Sequence, residues 1–258
     1  MEYYALSDMG RNRHNNEDCF IADEQNNLFI VADGMGGHKA GEVASKTAID
    51  SFIDHFKKKF NSKNFIIPKS AKTYEKRIKK VEDAIPQILI DSASYANEKI
   101  CELGEKNSDF RGMGTTLTGV FIFNSNAFVV HVGDSRLYLF RENRLELQTD
   151  DHTLVFELYK KGAITYEDTF SHPQRNYLTG VLGESELSGI DCFKFKLQEN
   201  DIILICSDGL NSMIKDNSIK DTLKKFQVKR SEVIAKKFIE QANKNGGMDN
   251  ITVIIIKV

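Results

Sequence analysis

The stretch TTLTGVFIFNSNAFVVHVGDSRLYLFRENRLELQ, Thr115 to Gln148, decides the fold class. It contains four short apolar runs: Thr115 to Phe123, Ala127 to Val132, Leu137 to Arg141 and Leu145 to Gln148. The links between them, such as Asn124-Ser125-Asn126 and Glu142-Asn143, are too short for crossover helices, so the four runs should form an antiparallel meander. Upstream, Tyr3 to Ser7 and Leu28 to Ala32 read as strands bounded by polar turn residues. From Ala44 to Phe60 the period changes: Ala48, Phe52, Phe56 and Phe60 recur every fourth residue, on one helical face. A second helical face follows in Leu89, Ala93, Ala96, Ile100 and Leu103. Downstream, residues 150–180 are polar and read as an excursion from the sheet. Strands are expected at 190–197 and 201–206, helices near 218–226 and 231–243, and a final strand at 251–257. Strands and helices that segregate in this way argue for an α+β fold rather than a βαβ nucleotide fold.

Composition narrows the class further. The 258 residues carry Lys+Arg 35 against Asp+Glu 37, and 41% hydrophobic with 28% charged residues is the mix of a soluble globular protein. No Gly/Ser or Pro-rich linker divides the chain, so residues 1–258 are expected to form one domain with a sizeable core. Met1 to Gly10 lacks a basic region followed by an apolar run, and no stretch is long and apolar enough for a membrane helix. Cys19, Cys101, Cys192 and Cys206 are far apart with no CxxC pair, so neither a zinc site nor a disulfide framework is indicated. A cytoplasmic location without a membrane span is the expectation. Near-neutral charge gives no general argument for nucleic acid. One segment departs from that balance: Lys57 to Lys80 holds nine Lys and Arg77 against Glu75 alone. It reads as the end of the first long helix and then a loop, around Asn61 to Thr73, joining it to the next helix. A solvated insertion is its simplest reading, and docking of an acidic partner the functional one.

The acids sit where strands stop. Asp33 ends Phe29-Ile30-Val31-Ala32, Asp134 follows Val129 to Gly133, Asp208 follows Ile202 to Ser207, and Asp249 precedes the last strand. Each alone is ordinary turn chemistry, since Asp-Gly favours turns. Four of them, each abutting an apolar strand, can converge at one sheet edge. Like charges brought together there must protonate or be neutralised by cations, and oxygen-only ligands select hard ions such as Mg²⁺ or Mn²⁺. The turn-rich N-terminal segment adds Arg13, Glu17 and Asp18, and an arginine fork beside such a site suits a phosphate.

Seven motifs, in order from Ser7 to the C-terminus, resemble those of the metal-dependent serine/threonine protein phosphatases, the protein phosphatase 2C family, in its bacterial form. They are Asp8-x-Gly10-x-x-Arg13-x-x-Asn16-Glu17-Asp18, Val31-Ala32-Asp33-Gly34-Met35-Gly36-Gly37-His38, Met113-Gly114-Thr115-Thr116 and Val132-Gly133-Asp134-Ser135-Arg136. The others are His172-Pro173-Gln174-Arg175-Asn176 with Leu178-Thr179, Cys206-Ser207-Asp208-Gly209-Leu210, and Gly246-Gly247-Met248-Asp249-Asn250-Ile251-Thr252. The resemblance implies an αββα four-layer sandwich of two antiparallel sheets flanked by helices, with a dimetal centre at one end. It implies that Asp33 bridges two metals, that Asp208 and Asp249 complete one site, and that the Gly34 carbonyl completes the other. It further implies that Glu17 and Asp18 hold metal-bound waters, that Arg13 binds the substrate phosphate, and that Asp134 with Asp208 holds a third ion near Asn176. The segment from about 150 to 180 matches the family's variable flap. Animal members carry a His two residues after the bridging Asp; here that position is Met35, with His38 three residues further on as an alternative proton donor.

The implied chemistry is hydrolysis of phosphoserine and phosphothreonine by in-line attack of a metal-bridging hydroxide, with two or three Mn²⁺ or Mg²⁺ ions. It implies phosphoprotein substrates, an antagonist serine/threonine kinase and a monomeric enzyme, with no nucleic-acid partner. Two rivals were weighed. A two-metal nucleotidyl transferase or nuclease would need a nucleotide cradle, and no Gly-x₄-Gly-Lys-Ser/Thr run occurs. A signalling pseudo-phosphatase would have lost metal ligands, and Asp33, Asp208 and Asp249 are all present.

Overall fold

Leu28, Ile30 and Ala32 turn to one side of their strand and Phe29 and Val31 to the other, and all five are fully buried. A strand apolar on both faces must be covered on both faces. That requirement builds the whole molecule. The computed structural model describes residues 1–36, 40–62, 71–187 and 189–258. It begins with strands β1 (Glu2–Asp8), β2 (Asp18–Asp23) and β3 (Leu28–Met35), followed by helices α1 (Ala40–Ser62) and α2 (Ala71–Lys106). Strands β4 (Gly114–Thr115), β5 (Leu117–Phe123), β6 (Asn126–Val132), β7 (Arg136–Arg141) and β8 (Arg144–Leu147) come next, then short helices α3 (Leu154–Lys160) and α4 (Tyr166–Thr169). The chain continues through β9 (Asp191–Lys196), β10 (Ile202–Cys206), α5 (Asp208–Asn211), α6 (Asp216–Phe226), α7 (Ser231–Lys244) and β11 (Ile251–Lys257).

Two antiparallel sheets result. One has the order β1-β11-β10-β7-β8, and the other β2-β3-β5-β6-β9 with β4 added beside β3. Three apolar layers hold the stack together. Leu28, Ile30 and Phe128 pack under α1 and α2; Phe29, Val129 and Ile254 meet between the sheets; Val253, Ile255 and Leu204 pack under α6 and α7. The order helices, sheet, sheet, helices is an αββα sandwich.

The meander is corrected at its centre. β5 pairs with β6 and β7 with β8, but β6 and β7 belong to different sheets. Each hairpin turns on two residues of positive φ, Asn124-Ser125 and Glu142-Asn143, as tight hairpins require. The link Gly133-Asp134-Ser135 instead carries the chain across the sandwich, through a Gly133 φ of 108° that favours glycine. Both faces of β6 and β7 are apolar, so periodicity could not tell a third hairpin from a crossing between sheets.

Two other expectations change. β2 carries no strong alternation, and as an edge strand it is only partly buried. The second long helix starts at Ala71, so the loop expected from Asn61 to Thr73 is helical at Asn61–Ser62 and at Ala71–Thr73. The rest of that loop, including Lys63, Pro68 and Lys69, lies outside the described residues. Ile78, Val81, Ile85 and Ile88 already carry the helical face before Leu89, obscured in sequence by the surrounding lysines and by Pro86 inside the helix.

His131 of β6 is fully buried between Thr118 Oγ1 at 2.8 Å and the Asp150 carbonyl at 3.0 Å. A carbonyl only accepts, so Nε2 carries a proton, and it is burial that keeps the ring neutral. Burial, with the neighbouring His152 second, pushes its pKa down to about 3. A base lowered in the folded state stabilises fully above its unfolded value near 6.5, and that contribution is lost as pH falls toward the folded value. The stability advantage of wild type over His131→Gln, measured by urea unfolding, should therefore shrink by up to about 1.4 kcal/mol per pH unit below about pH 6.5. A gap that does not vary with pH would mean that His131 is not held neutral.

Candidate active site

Strand register brings the acids together. Cys206 at the end of β10 lies opposite Arg136 at the start of β7 and Val253 near the start of β11. Asp208, Asp134 and Asp249, each just beyond one of those ends, therefore share one end of the first sheet. In the second sheet Asp18 is the direct cross-strand partner of Asp33. Between the sheet ends lies a cavity of about 260 Å³ whose lining includes Arg13, Glu17, Asp33, Asp134, Asp208 and Asp249.

Asp33 is held by its backbone. Its N–H donates to Thr116 Oγ1 at 2.9 Å, and its carbonyl accepts from Thr116 N–H at 2.9 Å and Thr115 Oγ1 at 2.8 Å. Gly34 packs backbone to backbone against Gly41 of α1 and Glu17, where any Cβ would overlap the Gly41 carbonyl. Asp18 stands behind the cavity, its Oδ2 accepting from Thr252 Oγ1 at 2.6 Å and Ser207 Oγ at 2.8 Å. Asn176 reaches the cavity from the 150–180 excursion. A buried arginine helps anchor that excursion to the sheet: Arg136 binds Asp151 through two nitrogens and donates to the Tyr138 and Tyr166 hydroxyls. Both tyrosines donate in turn to Asp216.

The electrostatics is one-sided. Burial, reinforced by neighbouring aspartates, raises Asp33 and Asp134 well above the usual carboxylate range. Asp208 is pushed up to about 6 by burial and then by Asp249. Asp18 rises to about 7 through burial, against the opposing hydrogen bonds from Thr252 and Ser207. The facing cation is Arg13, with Nη2 at 2.7 Å from Asp249 Oδ2 and a side chain 49% exposed.

The donor set fits hard cations. Oδ1 of Asp18 and Oδ1 of Asp208 are buried with no hydrogen-bond partner among the described residues. A carboxylate oxygen left so is an acceptor without a donor. Among those residues no three His, Cys, Asp or Glu side chains close around one point. A cation here would complete its shell of carboxylates with water, the habit of Mg²⁺ and similar ions.

The structure thus gathers Arg13, Glu17, Asp33, Gly34, Asp134, Asn176, Asp208 and Asp249 around one cavity and sets Asp18 behind it. His38 lies outside the described residues. Met35, Thr116, Leu178 and Asn250 also line the cavity, although sequence reasoning gave them no positive role. Thr116 had a legible signal, a hydroxyl pair directly after Met113-Gly114 at the mouth of an apolar strand.

An αββα sandwich with an acidic, cation-accepting end beside an arginine defines a class of metal-dependent phosphate-handling proteins. The protein phosphatase 2C model matches residues 9–243, and the chain belongs to that family. It is 38% identical over 255 residues to the serine/threonine phosphatase stp of Listeria welshimeri, covering 97% of this chain and 93% of that one. Among solved structures, the Mycobacterium tuberculosis serine/threonine phosphatase PstP/Ppp superposes with a TM-score of 0.83 at 34% identity, over 98% of this chain and 97% of that one. The catalytic domain of PstP in complex with two manganese ions gives 0.80 at 32% identity, over 98% and 96%.

If the cavity takes cations, Mn²⁺ at about 100 times its dissociation constant should stabilise the fold by about 2.7 kcal/mol, read as a rise in the thermal midpoint. Asp33→Asn and Asp208→Asn should each erase most of that rise. Metal-free Asp33→Asn should melt no lower than metal-free wild type, because one of several like charges is gone. A full Mn²⁺ shift retained by Asp33→Asn would remove Asp33 from the cation-binding set.

Proposed function

We propose that this chain hydrolyses phosphoserine and phosphothreonine in proteins with Mn²⁺ or Mg²⁺, two or three ions per chain, in opposition to a serine/threonine kinase. The observation that carries this reading is the buried acidic strand-end cluster, with its orphaned carboxylate oxygens, beside a half-exposed arginine. Family membership and the manganese-bound relative support it. Asp33, with the Gly34 carbonyl on one side and Asp208 and Asp249 on the other, would hold two ions. Asp134 with Asp208 would hold a third near Asn176, and Glu17 and Asp18 would hold coordinated waters. Bound cations supply Lewis acidity, easing proton loss from water and neutralising phosphoryl charge.

The chain's own residues do the rest. Arg13 uses one guanidinium nitrogen on Asp249, which leaves other N–H groups to fork onto a phosphoryl group and orient it for in-line displacement. The strand-end carboxylates accept protons poorly once cations face them, so the leaving alkoxide takes its proton from water or from His38. Cys19 and Cys206 take no part: burial raises both thiols, the opposite of nucleophile activation. A pseudo-phosphatase is disfavoured because each carboxylate the chemistry needs is present. The enzyme would act as a cytoplasmic monomer on protein substrates, without nucleic acid. No described helix is long and apolar enough to cross a membrane.

A phosphothreonine peptide assayed with and without Mn²⁺ tests the reading. Turnover should require the ion and return when it is restored after chelation. Arg13→Ala should raise KM about tenfold or more by removing one or two charge-assisted bonds, with a smaller change in kcat. Equal turnover with and without divalent cations would overturn the mechanism, and unchanged KM would free Arg13 from the phosphate-binding role.

A further inference from the structure

The segment from Met9 to Glu17 carries Arg13 near its apex, and residues at both its feet end on one side chain. Asn250 is 4% exposed. Its Nδ2 donates to the Met9 carbonyl at 2.9 Å and to the Asn15 carbonyl at 2.8 Å, and its Oδ1 accepts from the Glu17 N–H at 2.8 Å. Both donors and one acceptor site of the carboxamide are thus matched to two carbonyls and one amide. Asn250 also follows Asp249, the partner of Arg13, and its own N–H donates to Asp249 Oδ1 at 2.8 Å. The first side of the segment has other ties: Arg11 N–H and Asn12 N–H both donate to the Gly247 carbonyl, at 2.7 and 3.2 Å. On the return side Asn250 holds Asn15 and the Glu17 N–H, while the Glu17 carbonyl accepts from Ser45 Oγ at 2.6 Å and the Gly34 N–H at 3.1 Å, and Asn16 Nδ2 donates to Ser7 Oγ at 2.8 Å.

We infer that Asn250 is a positioning residue for phosphate recognition: by clamping both feet of the Met9–Glu17 segment, it fixes Arg13 over the cavity and sets Glu17 against its wall. The inference rests on Arg13 as the phosphate-binding group. Without the clamp the guanidinium keeps its charge but loses its address, so binding weakens through Arg13 and not through the carboxylates. An aspartate in the same place fills the same volume yet presents oxygen to two carbonyls, so the isosteric change must be worse than a truncation.

Amide hydrogen exchange on the wild-type protein tests the clamp without using activity. The Glu17 amide should exchange at least about a hundredfold slower than an unstructured amide. A rate within about threefold of unstructured overturns the inference whether or not the chain is a phosphatase. In kinetics with a phosphothreonine peptide, Asn250→Ala should raise KM about tenfold with kcat within about threefold. Arg13→Ala added to that background should then cost less than about twofold, because the two act as one unit. Asn250→Asp keeps an acceptor for the Glu17 N–H but sets oxygen against the Met9 and Asn15 carbonyls, so it should raise KM at least as much as Asn250→Ala does, which a merely space-filling side chain would not produce. If Asn250→Ala does not fold, Asn250→Ser carries the same comparison. Fully additive losses in the double variant, or a milder effect of aspartate than of alanine, overturn the clamp.

Discussion

Like-charge repulsion at one end of the sandwich is the constraint on which the site depends. Carboxylates from β2, β3, the β6–β7 link, α5 and the approach to β11 converge beside one arginine. In water such a cluster would spread apart. Here strand ends hold it, and strands covered on both faces cannot splay without exposing core. Burial first raises the pKa values of Asp18, Asp33, Asp134 and Asp208, and neighbouring carboxylates raise them further. Cations bound there would offset the crowded charge, as protons otherwise do.

The hydroxyl layer behind the carboxylates matters as much as the carboxylates. Thr115 and Thr116 grip the backbone of Asp33, while Ser207 and Thr252 hold one oxygen of Asp18 and leave the other without a partner among the described residues. A hydroxyl satisfies one lone pair without adding charge, so the acid stays aimed without being neutralised. Lysine or arginine at these positions would cancel the negative potential that makes the cavity attractive to a divalent ion.

Much of this was legible in the sequence because apolar strands followed by Asp-Gly or Gly-Asp are local signals. Asp33, Asp208 and Asp249 could be picked out one by one, and their convergence followed from antiparallel register. The crossing at Gly133-Asp134-Ser135 was not legible, since β6 and β7 look alike whether they pair with each other or with opposite sheets. β2 was hidden because an edge strand needs little alternation, and the first half of α2 because lysines break up its apolar stripe. Asn250 was visible inside a motif, but a carboxamide declares its partners only when the carbonyls of Met9 and Asn15 arrive from more than 230 residues away in the chain.

That distance has a consequence for assembly. β1 and β11 pair along their whole lengths, Glu2 with Lys257 through Asp8 with Ile251, so the two ends of the chain form neighbouring strands. Asp249 and Asn250 immediately precede β11, and the Arg13 segment immediately follows β1. Neither half of the proposed phosphate-recognition apparatus is near the other until this long-range pairing forms, and loop closure over such separations is slow. The acids of β3 and the β6–β7 link come from the interior of the sequence and belong to strands that pair with nearer neighbours. Apart from Asp249, the proposed cation-binding and phosphate-binding groups therefore depend on different contacts in the fold. Through Asp249, which lines the cavity and pairs with Arg13, the approach to β11 joins them into one site.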